Sequence, residues 1–157
     1  METPVSRARA FSLIELMLVI AILAVVSAIA LPRYSNSLQI YRANLAAKRV
    51  AADLQMAQFR ARSLSTTRTI TFTASSNSYQ IAGEADLISS SATYTVQLAD
   101  LPYRATIRSV QFGTNGVSSI SFNGYGMPNS AGSLTLSSGN VTKTITVAAQ
   151  TGAISIQ

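Results

Sequence analysis

The stretch FSLIELMLVIAILAVVSAIALPR, from Phe11 to Arg33, decides how the chain is read. From Leu16 to Leu31 the run is broken only by Ser27, and it holds no Gly and no Pro. Three readings compete for it. A buried core helix of such length would carry a polar face, and this one has none. A secretory signal peptide fits Arg7 and Arg9 as its basic region and Ala28-Ile29-Ala30 as a small-x-small cleavage pattern, with the cut after Ala30. Against it, Glu15 opens the apolar stretch, where a signal peptide gains nothing from a carboxylate. A retained membrane helix fits the length. The span from Phe11 to Leu31, about 31 Å as a helix, matches the hydrocarbon thickness of a bilayer. Arg7 and Arg9 precede the span while Arg33 and Arg42 follow it, so charge alone leaves the orientation open.

Outside this stretch, composition removes several kinds of chemistry. The 157 residues include no Cys and no His, so disulfide frameworks and Cys/His zinc sites are excluded. The commonest general base is missing as well. The formal net charge is +6, with 11% of residues charged. That balance suits anionic partners and says nothing of fold.

After Pro32 a helical period resumes. Leu38, Tyr41, Leu45, Ala52, Met56 and Phe59 form one apolar stripe; Val50, Leu54, Ala57, Ala61 and Leu64 form a second. A helix over about 34–64 is expected, continuous with the apolar segment or kinked from it at Pro32. One stripe packs on the core, and the other is left for neighbouring helices. From Thr67 the period becomes two. Ile70 and Phe72 alternate with threonines, Ala74-Ser75-Ser76-Asn77 makes a turn, and Tyr79 with Ile81 follows. Further strands are expected near Tyr94–Leu98, 107–112, 117–123, 132–138, 141–149 and 153–157. Gly139-Asn140 and Thr151-Gly152 read as hairpin turns. The expected class is α+β, one long N-terminal helix and then an antiparallel Ser/Thr-rich sheet.

Ala10-Phe11-Ser12-Leu13-Ile14-Glu15-Leu16 resembles the type IV prepilin signature of the pilin and pseudopilin superfamily. A small residue, Phe, Ser-Leu, Glu and an apolar run all fall in register, and Pro32 stands where many members carry a proline. The resemblance implies a pilin-like fold and four segments. These are a leader (1–10), a transmembrane assembly helix (11–32), its amphipathic continuation (33–66) and a β-rich domain (67–157). It implies a prepilin peptidase and methyltransferase that cuts between Ala10 and Phe11 and methylates Phe11. Other filament subunits and the lipid bilayer are implied as partners, with a single-pass inner-membrane location and the domain in the periplasm or outside. The family usually has Gly before the cut; Ala10, the next smallest residue, still admits processing, at a slower rate. Ala57-Gln58-Phe59-Arg60-Ala61-Arg62-Ser63, Ile120-Ser121-Phe122-Asn123-Gly124-Tyr125-Gly126 and the stretch from Ile145-Thr146-Val147 to Thr151-Gly152-Ala153-Ile154 look like the GspH/FimT branch. That branch covers minor pseudopilins of type II secretion and FimT-like minor pilins.

Glu15 has two readings. An ionised carboxylate in an apolar segment is costly unless paired. After the cut, the cationic amine of a neighbouring Phe11 would pair it and set the register of a filament. Alternatively Glu15 lies only about 6 Å into the helix and reaches headgroup water. The surrounding motif favours assembly, in which Glu15 and Pro32 are the residues implied.

No catalytic arrangement is recognisable, and neither an enzyme activity nor a cofactor is expected. Glu84 and Asp86 offer too few oxygens for a calcium site and read as a solvated loop. Arg42, Arg49 and Arg60 fall within about 20° of one direction on a helix. Such a strip reads as an ordinary solvated helix face or suits subunit contacts, anionic headgroups or DNA phosphates, the first two being favoured over DNA. FimT-like proteins that take up DNA carry a C-terminal Gly-Arg motif. Here the matching stretch is Gly152-Ala153-Ile154-Ser155-Ile156-Gln157, with no cation, and DNA is disfavoured.

Overall fold

A computed structural model describes residues 11–85 and 93–157. Helix α1 runs from Leu13 to Ser63. Eight strands follow: β1 Arg68–Thr73, β2 Ser78–Ala85, β3 Thr93–Gln97, β4 Thr106–Phe112, β5 Ser119–Phe122, β6 Gly132–Ser138, β7 Val141–Val147 and β8 Ile154–Ile156. The chain divides into two units, one ending at Ser37 and the other Leu38–Gln157.

In the first unit α1 passes through Pro32 without ending. Pro32 offers no N–H to the helical ladder, and Ser35 and Ser37 donate back to the carbonyls of Pro32 (2.9 Å) and Arg33 (3.0 Å). Every described residue up to Ser37 is exposed. The most apolar window of α1 has a mean hydropathy of 2.8, and none of it is covered by protein. A face so apolar on all sides needs an apolar surrounding.

In the second unit α1 turns a row of small residues inward. Ala43, Ala46, Ala47, Val50, Leu54, Ala57 and Ala61 are buried. Short side chains let the helix lie close to the strands. The second predicted stripe therefore faces the core, except for Leu64, which is exposed at the helix end. Tyr41, Ala52 and Phe59 of the first stripe point outward.

The strands make two four-stranded antiparallel sheets, ordered β3-β2-β1-β5 and β4-β6-β7-β8. This corrects the expectation of a single sheet. The chain changes sheets after β3, after β4 and after β5. Phe112 and Val117 close a tight bridge, and β5 then pairs with β1, Ile70 opposite Ile120. Phe72 of β1 stacks on Phe112 of β4 at 5.8 Å between ring centres, which joins the two sheets through one aromatic contact. Both Phe are almost fully buried; each such side chain contributes about 1.5–3 kcal/mol. The turn at Gly139-Asn140 is a two-residue hairpin, with Ser138 opposite Val141. The turn at Thr151-Gly152 is wider and closes where the Ala148 N–H meets the Ala153 carbonyl at 3.0 Å.

Candidate assembly site and the arginine clusters

At the start of α1, Ser12 is the N-cap. Its Oγ accepts the Glu15 N–H at 3.2 Å, and its carbonyl accepts the Leu16 N–H at 3.2 Å. Ser12-Leu13-Ile14-Glu15 is thus the S-x-x-E pattern that opens helices, with the Glu15 carboxylate in the first turn, where the helix dipole favours it. Sequence reasoning passed over this capping role, although the spacing announces it. Phe11 is exposed. Ala10, Arg7 and Arg9 lie outside the described residues.

The three aligned arginines meet different fates. Arg42 is half-buried in the second unit. Arg49 Nε donates to Asp53 Oδ2 at 3.1 Å, and Arg49 also donates to the Tyr94 hydroxyl. Arg60 pairs with Glu84. Two of the three are therefore bound to carboxylates of their own chain.

Asp53 is buried on α1, and its Oδ2 also accepts from Tyr79 (2.5 Å) and Tyr94 (3.1 Å). Strand pairing makes this possible. Ile81 sits opposite Tyr94, so Tyr79, two residues before Ile81, shares a face with Tyr94. The cluster ties α1 to β2 and β3. Burial raises the Tyr79 pKa well above the ordinary tyrosine range, and the Asp53 carboxylate raises it further. Tyr94 is raised for the same reasons. Burial works against the Arg49 charge, but Asp53 and the Tyr94 hydroxyl outweigh it and the guanidinium is held more firmly than usual.

Glu84 is buried at the end of β2, between Arg60 and Arg68, whose Nε lies 3.5 Å away. This corrects the reading of Glu84 as a solvated loop residue; its companion Asp86 lies outside the described residues. Among the described residues, no group of three or more His, Cys, Asp or Glu side chains is placed to hold a metal ion.

The quoted family-like segments meet at the end of α1. Gln58 Nε2 donates to the carbonyls of Gly126 (2.9 Å) and Thr151 (3.3 Å), and Arg62 Nε donates to that of Tyr125 (3.1 Å). Asn123 Oδ1 accepts the Tyr125 and Met127 N–H groups, each at 3.0 Å. Helix, loop and closing hairpin are fastened at one place, with Tyr125 fully outside.

The model of a family described as type II transport protein GspH matches residues 46–151. A prokaryotic N-terminal methylation motif matches residues 5–31. No curated protein sequence matches the chain. Among solved structures, the fold is similar to the type IV minor pilin FimU of Pseudomonas aeruginosa (strain PAO1) in two crystal forms. The TM-scores are 0.54 and 0.53, with 16% identity in each case. The likeness covers 73% of this chain and 87% or 91% of the FimU chains. At that identity it speaks for the fold alone.

Proposed function

We propose that this chain, which belongs to the GspH family of type II transport proteins, is a minor filament subunit cut between Ala10 and Phe11. Methylation at Phe11 and assembly into a type II secretion pseudopilus or a type IV pilus follow. The family is one of structural pilins and pseudopilins, not of enzymes. The observation that carries the proposal is the methylation motif over residues 5–31, set on a helix whose apolar part no protein covers. In this reading α1 anchors the unassembled subunit in the inner membrane by a single pass, with the Leu38–Gln157 unit on the periplasmic side. Neighbouring apolar helices replace lipid as the filament forms, and a prepilin peptidase supplies the cut. DNA binding by Arg42, Arg49 and Arg60 gains nothing from the geometry, because Asp53 and Glu84 already engage two of them.

Mass spectrometry of the mature N-terminus tests the proposal. N-methyl-Phe11 is the expected terminus. A chain beginning at Leu31 would instead be the product of an ordinary signal peptidase and would end the filament reading.

A further inference from the structure

Asparagine followed by a small residue is among the least durable pairs in a protein chain, because little stands between its side-chain carbonyl carbon and the next backbone nitrogen. This chain holds five such pairs: Asn36-Ser37, Asn77-Ser78, Asn115-Gly116, Asn123-Gly124 and Asn129-Ser130. Four of them are restrained. Asn36-Ser37 lies inside α1, where the backbone N–H is committed to the helical ladder. Asn77 Oδ1 accepts the Ile107 N–H at 2.8 Å, and Asn129 Oδ1 accepts the Ser121 N–H at 3.0 Å. Asn123 Oδ1 accepts the Tyr125 and Met127 N–H groups, and the Asn123 N–H donates to the Met127 carbonyl at 3.0 Å. Two donors on Oδ1 would favour a negative charge developing there, but the nitrogen that must approach is held in place. Gly124 lies so close to Ser65 that a Cβ would stand 3.0 Å from the Ser65 carbonyl carbon.

Asn115-Gly116 differs. It lies in the tight turn between β4 and β5, where Phe112 and Val117 exchange backbone hydrogen bonds of 3.2 and 3.0 Å. Neither Asn115 nor Gly116 joins a backbone hydrogen bond. Among the described residues the Asn115 side chain has no bond like those that hold Asn77, Asn123 and Asn129. Gly116 has a φ of +61°, and no atom lies within 4 Å of the place where a Cβ would stand. Nothing restrains the Asn115 side chain, and nothing screens the Gly116 nitrogen from it. Exposure alone does not single the pair out, because Asn123 and Asn129 are exposed as well. The missing hydrogen bonds do.

We infer that Asn115 is a site of spontaneous modification, at which the side-chain amide is lost as ammonia. Hydroxide takes the Gly116 amide proton, and the nitrogen attacks Asn115 Cγ. The new C–N bond closes a succinimide ring, and the bond from Cγ to Nδ2 breaks. Nδ2 leaves as ammonia with a proton from water, which restores the hydroxide. A further water opens the ring at either carbonyl and leaves an aspartyl or isoaspartyl residue at position 115. One water is consumed, one ammonia is released, and nothing is oxidised or reduced. The reaction needs no enzyme, so the fraction of chains carrying the new carboxylate rises with age. The isoaspartyl form also adds a methylene to the backbone inside the Phe112–Val117 bridge, where the chain passes from one sheet to the other.

The test ages the full chain in detergent and mildly alkaline buffer, with a parallel sample in denaturant. Both are digested and read by mass spectrometry with fragmentation that separates isoaspartyl from aspartyl peptides. In the folded chain, conversion at Asn115 is expected to run severalfold ahead of conversion at Asn77, Asn123 and Asn129, with the isoaspartyl product in excess. In denaturant, Asn115 and Asn123 are expected to convert at similar rates, because both precede glycine. Gly116→Ala is expected to slow the reaction at Asn115 severalfold, and the denatured sample reports this whether or not the variant folds. Conversion at Asn123 as fast as at Asn115 in the folded chain overturns the assignment. So does an Asn115 that stays intact when folded and converts only in denaturant.

Discussion

Asp53 is the residue on which the second unit turns. Three donors from α1, β2 and β3 converge on its Oδ2, so removing it takes the carboxylate from the Tyr79 hydroxyl and leaves Arg49 and Tyr94 with the bond between them. Breaking a buried pair from one side costs about 3–5 kcal/mol. Arg49 is partly solvated and recovers some of that from water. Asp53→Ala is therefore expected to cost about 2–3 kcal/mol. Circular dichroism of the detergent-solubilised chain would read this as a thermal midpoint lowered by about 8 °C or more. The same cluster gives stability an alkaline limb. The folded pKa of Tyr79 lies above its unfolded value of 10.0, so its proton is held more tightly in the folded state. That contribution is complete below pH 10 and is lost as pH rises beyond it, where the unfolded chain ionises first. Tyr94 acts in the same direction. Denaturant midpoints should be flat to about pH 9 and decline above pH 10, and Tyr79→Phe should make that decline shallower.

At the scale of elements, the end of α1 and the Asn123–Met127 loop form one fastening. Gly126 has a φ of +73°, and a Cβ there would run into the Arg62 side chain, which holds the Tyr125 carbonyl. Gly126→Ala is expected to cost about 1–2 kcal/mol through backbone strain and loss of that bond. The clearest readout is faster amide exchange at Tyr125 and Met127, with the sheets unaffected; unchanged exchange would mean that Arg62 does not fasten the loop. Much of this level was legible in the sequence. The period of Val50, Leu54, Ala57 and Ala61 marked one of two candidate faces of α1, without telling which of the two is buried, and alternation marked the strands. The division into two sheets was not legible. Alternation tells which side of a strand is buried, not which strand lies beside it, and the chain passes from β4 to β5, which pairs with β1, through a turn bridged by Phe112 and Val117. The arginine partners were hidden for a similar reason. Helical spacing aligned Arg49 and Arg60, but the groups that bind them include Tyr94 and Glu84 on distant strands.

For the molecule as a whole, the question is whether the N-terminal signature serves the helix or the filament. The Phe11–Leu16 segment was legible as a family signature, whereas Ser12 as a cap emerged only from its contact with the Glu15 N–H. That contact makes the two roles separable. Glu15→Ala removes the carboxylate but keeps the backbone N–H that Ser12 caps, so the helix start survives. Ser12→Ala removes the cap, at a cost of about 1 kcal/mol, and keeps the carboxylate. If Glu15 serves mainly the capping box, the two variants should behave alike, with slightly frayed helix starts and similar incorporation. If it pairs with the amine of a neighbouring Phe11, only Glu15→Ala should fail. The expected outcome is the second: both variants are cut after Ala10, as read by mass spectrometry, and the Glu15→Ala subunit is at least tenfold depleted from sheared filaments, equivalent to about 1.4 kcal/mol of lost pairing. Glu15→Gln separates charge from shape. It keeps the side-chain length, so incorporation as poor as that of Glu15→Ala assigns the loss to the missing negative charge, while wild-type incorporation of Glu15→Gln would show that no cationic amine is being met.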